Sequence, residues 1–143
     1  MFWIWYPDMI VSGINRGSNA GRNCLYSGTV GGVIEGVLKG IPGIAFSCSD
    51  YDSPRYDIAE KHVLNIVKYV LESPMPEGTL LNVNIPNTIK GFKMTCQGES
   101  YWSDGLDRRL HPTGIPYYWL DAKVTDKTDL PPDSDTALLA RGS

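Results

Sequence analysis

Histidine is almost missing: His62 and His111 are the only two in 143 residues, one in a stretch of helical spacing and one in a Pro/Gly-rich loop. A zinc site or a Ser/His/Asp triad is not expected from such a pair. Cysteine is nearly as scarce. Cys24, Cys48 and Cys96 are too few and too scattered for a disulfide framework or a Cys-x-x-Cys site, and they read as reduced thiols of a cytoplasmic protein. The lack of any Asn-x-Ser/Thr acceptor agrees. Cys24 has no histidine near it in sequence, so a thiol nucleophile is not expected. Positive charge is also in short supply: thirteen Lys and Arg stand against sixteen Asp and Glu, for a net charge of −3, without a basic cluster. That excludes a binder of nucleic-acid polymers. No apolar run reaches the roughly 18–20 residues of a bilayer span. Lys39, Gly40 and Pro42 break the longest candidate, and the apolar opening Met1 to Tyr6 has no cationic segment before it and stops at Pro7. Neither a membrane span nor a secretory signal is expected.

What is present is an ordinary globular composition, 42% hydrophobic and 20% charged, with fifteen glycines and ten prolines spread among apolar runs. One compact soluble unit is expected. Met9 to Val11 read as a buried strand ending at Ser12-Gly13, followed by a polar, glycine-rich loop. Val30, Val33, Ile34, Val37 and Leu38 recur at helical spacing and predict a helix over 29–39 that stops at Gly40. Gly31, Gly32 and Gly36 inside it suggest close packing on a sheet or close approach of a ligand. Gly43 to Cys48 reads as a second strand, Tyr56 to Glu72 as an amphipathic helix closed by Pro74, and Thr79 to Ile85 as a third strand. Strand and helix in alternation imply a parallel α/β unit. After Pro86 the pattern changes: strands are predicted at Phe92 to Gln97 and Tyr117 to Val124, with a short helix at Thr136 to Ala140.

The stretch from Ser12 to Gly36 carries the chemistry. It places Asn15, Arg16, Asn19 and Arg22 after a parallel strand and Ser27, Gly28 and Thr29 at a helix start. Open α/β sheets bind ligands at the carboxyl ends of their strands, and a helix start offers free amides and a favourable dipole to an anion. The loop matches no Gly-x-Gly-x-x-Gly, Gly-Lys-Ser/Thr or Gly-x-Ser-x-Gly fingerprint. The competing reading makes Ser27 an N-cap, Asn15 and Asn19 turn residues, and Arg16 and Arg22 solvated charges.

The runs Pro7-Asp8-Met9-Ile10-Val11-Ser12-Gly13-Ile14-Asn15-Arg16-Gly17-Ser18-Asn19 and Tyr26-Ser27-Gly28-Thr29-Val30-Gly31, with Glu35-Gly36, Gly40-Ile41-Pro42, Leu81-Asn82-Val83-Asn84-Ile85-Pro86 and Gly114-Ile115-Pro116-Tyr117-Tyr118-Trp119, resemble the SurE family of survival-protein nucleotidases in the same order. The resemblance implies a metal-dependent phosphatase (Mg or Mn) acting on nucleoside 5′- and 3′-monophosphates. It implies Asn15 as a metal ligand and Asn19, Ser27, Gly28 and Thr29 as phosphate-binding. It also implies a homodimer, or dimer of dimers, with exchanged arms. The family's paired aspartates and upstream serine have no counterpart before Asn15, and the family continues beyond Ala140 to Ser143. An incomplete form with unassigned catalytic residues and little activity of its own is expected.

The combined reading is a Rossmann-like three-layer α/β/α core with a parallel sheet over 1–88 and a β-rich hairpin and C-terminal arm over 89–143. The arm, from Gly91 to Asp126, is expected to pack on another copy. The alternatives are a non-catalytic anion- or nucleotide-binding module, and an oligomerisation module using Phe2, Trp3, Trp5 and Tyr117 to Trp119.

Overall fold

A computed structural model describes residues 7–125 and 131–141. Phe2, Trp3, Trp5 and Asp126, named above, lie outside the described residues. Three parallel strands, β1 (Ile10–Arg16), β2 (Gly43–Cys48) and β3 (Leu80–Ile85), form one sheet in the order β1-β2-β3. All six residues of β2 are buried, as expected of a central parallel strand covered on both faces. Helix α1 (Gly28–Val37) packs Val30 and Val33 on the Ala45 face, with Ile10 and Leu80. Helix α2 (Tyr56–Glu72) packs Ala59, Val63, Ile66, Val67 and Val70 on the opposite face, against Ile44, Phe46 and Ile85. These are the three layers the alternation predicts.

Local chemistry sets the ends. Gly40, at φ +77°, turns the chain out of α1 while Ile41 N–H bonds back to Gly36 O at 3.1 Å, a glycine-dependent helix stop. A Cβ on Gly36 would overlap Ile10, so this glycine serves close packing on the sheet, whereas Gly31 faces open space. At the start of α2, exposed Asp57 forks onto Arg55, and that hydrogen bond holds its carboxyl at about 2.

Four expectations need correction. β1 does not stop at Ser12-Gly13 but runs to Arg16. It does so through a bulge between Ser12, opposite Ala45, and Asn15, opposite Ser47, with Gly13 at φ +128° against the Phe46 carbonyl. The bulge puts three β1 steps against two on β2 and re-aims Asn15. The 15–29 loop contains a 3-10 helix, η1 (Gly21–Tyr26). Phe92 to Gln97 is no strand: only Cys96 bridges, to Ser134, since the segment finds no sheet edge to pair with. Tyr117 to Val124 is split into β6 (Pro116–Leu120) and β7 (Lys123–Thr125), which pair with β5 (Leu106–Leu110) and β4 (Tyr101–Ser103). The four strands make one long two-stranded arm, bent where Asp121 N–H meets Gly105 O at 2.9 Å and turned at Gly114. Helix α3 (Asp135–Ala140) follows, capped by Ser134 Oγ on Ala137 N–H.

Candidate phosphate site at the carboxyl ends of the strands

Asn19 is the centre of the site and is only 5% exposed. Its side-chain Nδ2 donates to Ser47 Oγ at 2.7 Å, and its Oδ1 accepts from Asn15 Nδ2 at 3.2 Å. Its backbone N–H goes to Asn84 Oδ1 at 2.8 Å and its carbonyl accepts from Asn82 Nδ2 at 2.9 Å. Asn15 Nδ2 also reaches Gly17 O at 2.9 Å and Arg16 O at 3.2 Å. With that nitrogen committed, the carbonyl Oδ1 is the atom Asn15 has to offer. The structure thus brings Asn15 and Asn19 together, and adds Ser47, Asn82 and Asn84, which the sequence reading did not single out as site residues. A signal for the two asparagines was present: they alternate with Leu81, Val83 and Ile85 on a parallel strand, whose both faces should be covered.

Ser27, Gly28 and Thr29 begin α1, whose second turn passes over Ser12 of β1: a Cβ on Gly32 would sit 3.8 Å from Ser12 Oγ. Ser27 is the N-cap: its Oγ accepts from Val30 N–H at 3.2 Å and its carbonyl from Gly31 N–H at 2.8 Å. The capping reading therefore holds, and the Ser27 hydroxyl proton stays free to donate. The N–H groups of Gly28 and Thr29 are first-turn donors without an intrahelical acceptor, and Gly28 is exposed with nothing within 4 Å of a built Cβ. An anion can approach this backbone closely.

The arginines are otherwise engaged. Arg16 Nε donates to Tyr51 O at 2.6 Å while its guanidinium stacks 4.7 Å from the Tyr51 ring centre, and Arg22 lies 5.1 Å from that of Tyr101. His62 packs edge-on against Phe92, and His111 Nδ1 sits 2.8 Å from Thr113 Oγ1. Burial, helped by Asp135, pushes the Cys24 thiol up, the opposite of an activated nucleophile. Asp50 is locked as a turn residue by Ser53 N–H at 2.8 Å and Asn87 Nδ2 at 2.9 Å. Among the described residues no group of three or more His, Cys, Asp or Glu could hold a metal ion.

The η1 end of the loop is tied to the C-terminal part. Asp135 accepts the N–H groups of Gly21 at 3.0 Å, Gly98 at 2.7 Å and Thr136 at 2.7 Å, and Gln97 Nε2 donates to Gly21 O at 2.9 Å. No helix among the described residues is long and apolar enough to cross a membrane.

Residues 2–104 match the family model described as Survival protein SurE. The chain is similar to the 5′-nucleotidase SurE of Protochlamydia amoebophila, with 51% identity over 141 residues, covering 95% of this chain and 54% of that protein. It is 42% identical over 146 residues to the 5′-nucleotidase SurE of Microcystis aeruginosa, again covering 95% and 54%. The SurE protein from Aquifex aeolicus superposes with a TM-score of 0.77 at 39% identity, covering 95% of this chain and 56% of that one. The chain spans about half the length of the curated relatives it matches. With the family model covering most of the sequence and the parallel core matching a solved SurE structure, the chain belongs to the SurE family.

Proposed function

We propose that this chain supplies the phosphate-holding part of a SurE-type nucleotidase, which hydrolyses nucleoside 5′- or 3′-monophosphates to nucleoside and phosphate. The observation that carries the reading is the capped start of α1. Ser27 secures the helix while the amides of Gly28 and Thr29, in its first turn, remain available. The phosphate oxygens accept from those two amides and from the Thr29 hydroxyl, with the positive end of the helix dipole behind them. Asn19 holds Asn15 in place through the 3.2 Å bond between their side chains. Part of its hydrogen-bonding capacity goes into that bracing, and Nδ2 keeps a second N–H beyond the one given to Ser47, so Asn19 both shapes the loop and can donate to a phosphate oxygen.

The magnesium or manganese ion implied by the family does not fit the described residues taken alone. Asn15 offers one neutral carbonyl, no group of three or more His, Cys, Asp or Glu among the described residues could hold a metal ion, and a hard divalent ion wants about six oxygen ligands including carboxylates. No hydrolytic step is assigned to this chain's own atoms. The same fact favours the second reading, a module that binds anions or nucleotides without catalysis.

The long arm supports a homodimer or dimer of dimers, since Tyr118, Trp119 and Leu120 are all exposed on β6 and an isolated two-stranded hairpin is marginally stable. We take 1–88 as the Rossmann-like core, 89–143 as the arm region, and the cytoplasm as the compartment. Titrating the chain with inorganic phosphate while following backbone amides by NMR tests the reading: Gly28 and Thr29 should shift most. Metal-dependent turnover of a nucleoside monophosphate separates the nucleotidase from the binding module.

A further inference from the structure

A pocket of about 270 Å³ opens at the carboxyl ends of β2 and β3, lined by Ser18, Ser49, Asp50, Pro86, Asn87 and Leu139. Ser49 is anchored by its N–H on Ile85 O at 2.8 Å, and its Oγ is buried with no hydrogen-bond partner among the described residues. Buried hydroxyls are nearly always bonded, so an orphan in a pocket wall marks a place for another polar atom. Ser18 Oγ accepts from Ala20 N–H at 3.3 Å, which leaves its proton to donate. Asp50 is held from two sides, by Ser53 N–H and Asn87 Nδ2, so its carboxylate cannot turn away. Each of its oxygens keeps a further acceptor position. Pro86 and Leu139 supply apolar wall.

A carboxylate and two hydroxyls beside an apolar wall suit a hydroxyl-bearing sugar ring: ring hydroxyls donate to the carboxylate and exchange bonds with the serines, while ring carbons lie on the apolar side. The Asp50 charge turns a phosphate away from this pocket, so it is distinct from the start of α1. Ser18 precedes Asn19 directly, which makes the pocket continuous with the loop that braces Asn15. We propose that this pocket receives the sugar of the nucleoside monophosphate and that Ser49 is its specificity-determining hydroxyl; the proposal rests on the phosphate reading above.

The 143-residue chain, titrated with inorganic phosphate and with ribose 5-phosphate, tests it. Ribose 5-phosphate should bind more tightly than phosphate and alone shift the amides of Ser49 and Asn87. Ser49→Ala, which removes the hydroxyl without adding bulk, should lower ribose 5-phosphate affinity about fivefold, the worth of a typical hydrogen bond, and leave phosphate affinity unchanged. Leu139→Phe, which narrows the pocket, should act in the same direction. Equal affinities for the two ligands with Ser49 silent would overturn the sugar pocket and leave the phosphate reading standing. Gly28 and Thr29 unmoved by phosphate would overturn both.

Discussion

Asn84 on β3 accepts the backbone N–H of Asn19 on its side-chain carbonyl at 2.8 Å, across 65 positions of sequence. Asn82, two residues earlier on the same face, donates to the Asn19 carbonyl at 2.9 Å. One strand thus satisfies both backbone polar groups of a single loop residue, whose side chain in turn joins Ser47 to Asn15. Loop geometry at the site is therefore set by the sheet.

Asn84→Ala should leave the buried Asn19 amide without an acceptor and cost about 1–3 kcal/mol of stability. Asn84→Asp keeps an oxygen at the position and should lose less. Urea denaturation of both variants checks the order; equal losses would show that the contact is not what Asn84 contributes.

Asp135 joins three backbone amides from three parts of the chain: η1, the 96–98 segment and α3. Hydrogen bonds to a charged acceptor contribute more than neutral ones, so Asp135→Ala should cost about 2–3 kcal/mol. Amide hydrogen exchange at Gly21 and Gly98 should speed up together. Faster exchange at Gly98 alone would mean that α3 is not tied to the site loop.

Periodicity and β-branched runs made the core legible: β2 and α2 fall on the predicted residues, and α1 and β3 within two, because each buries an apolar face that the spacing announces. The extension of β1 to Arg16 was not legible, since Ser12, Gly13 and Asn15 carry the composition of a turn and the pairing depends on a bulge fixed by Phe46 on another strand. The strand limits within the arm were misread for a related reason. Its side chains are almost all exposed, so they have no core to impose a period-two pattern. In the site, Ser27 to Thr29 could be found from the helix start, whereas Ser47 and Asp135 act through contacts 28 and 114 residues distant in sequence.

Thr29→Val should weaken phosphate binding by about 1–3 kcal/mol through loss of a hydroxyl donor, with little change in fold because the Ser27 cap is untouched. Calorimetry of the variant with inorganic phosphate gives the number. Unchanged affinity would remove Thr29 from the site.

Cys24 has its pKa raised first by burial and then by Asp135. The folded thiol keeps its proton at pH values where the unfolded thiol has lost it. Its stabilising contribution is therefore complete below the unfolded pKa and declines as pH rises toward the folded one. Exposed Cys96 should be alkylated by iodoacetamide first, and Cys24 should follow only in alkaline solution. Mass-spectrometric mapping across a pH series tests this, and Cys24 reacting first at neutral pH would reverse the assignment.

The chain by itself, with magnesium or manganese and a nucleoside monophosphate, should bind phosphate without appreciable turnover. Carboxylates would have to gather around Asn15, and among the described residues no group of three or more His, Cys, Asp or Glu could hold a metal ion. Asp8 precedes β1 and lines a groove with Gly40, Pro42 and Glu77 at the amino ends of the strands. At about 3.3 Å per extended residue it lies roughly 20 Å from Asn15, far outside the coordination distance of any metal bound there. Asp50 is nearer, but Ser53 N–H and Asn87 Nδ2 fix it as part of the turn after β2, and a single carboxylate falls short of the several oxygen ligands a hard divalent ion wants. Release of phosphate, followed over time with wild-type chain and with Asn15→Ala, decides the matter: turnover that disappears in Asn15→Ala would show that carboxylates do assemble around Asn15 and that this fold holds more of the reaction than its described residues display.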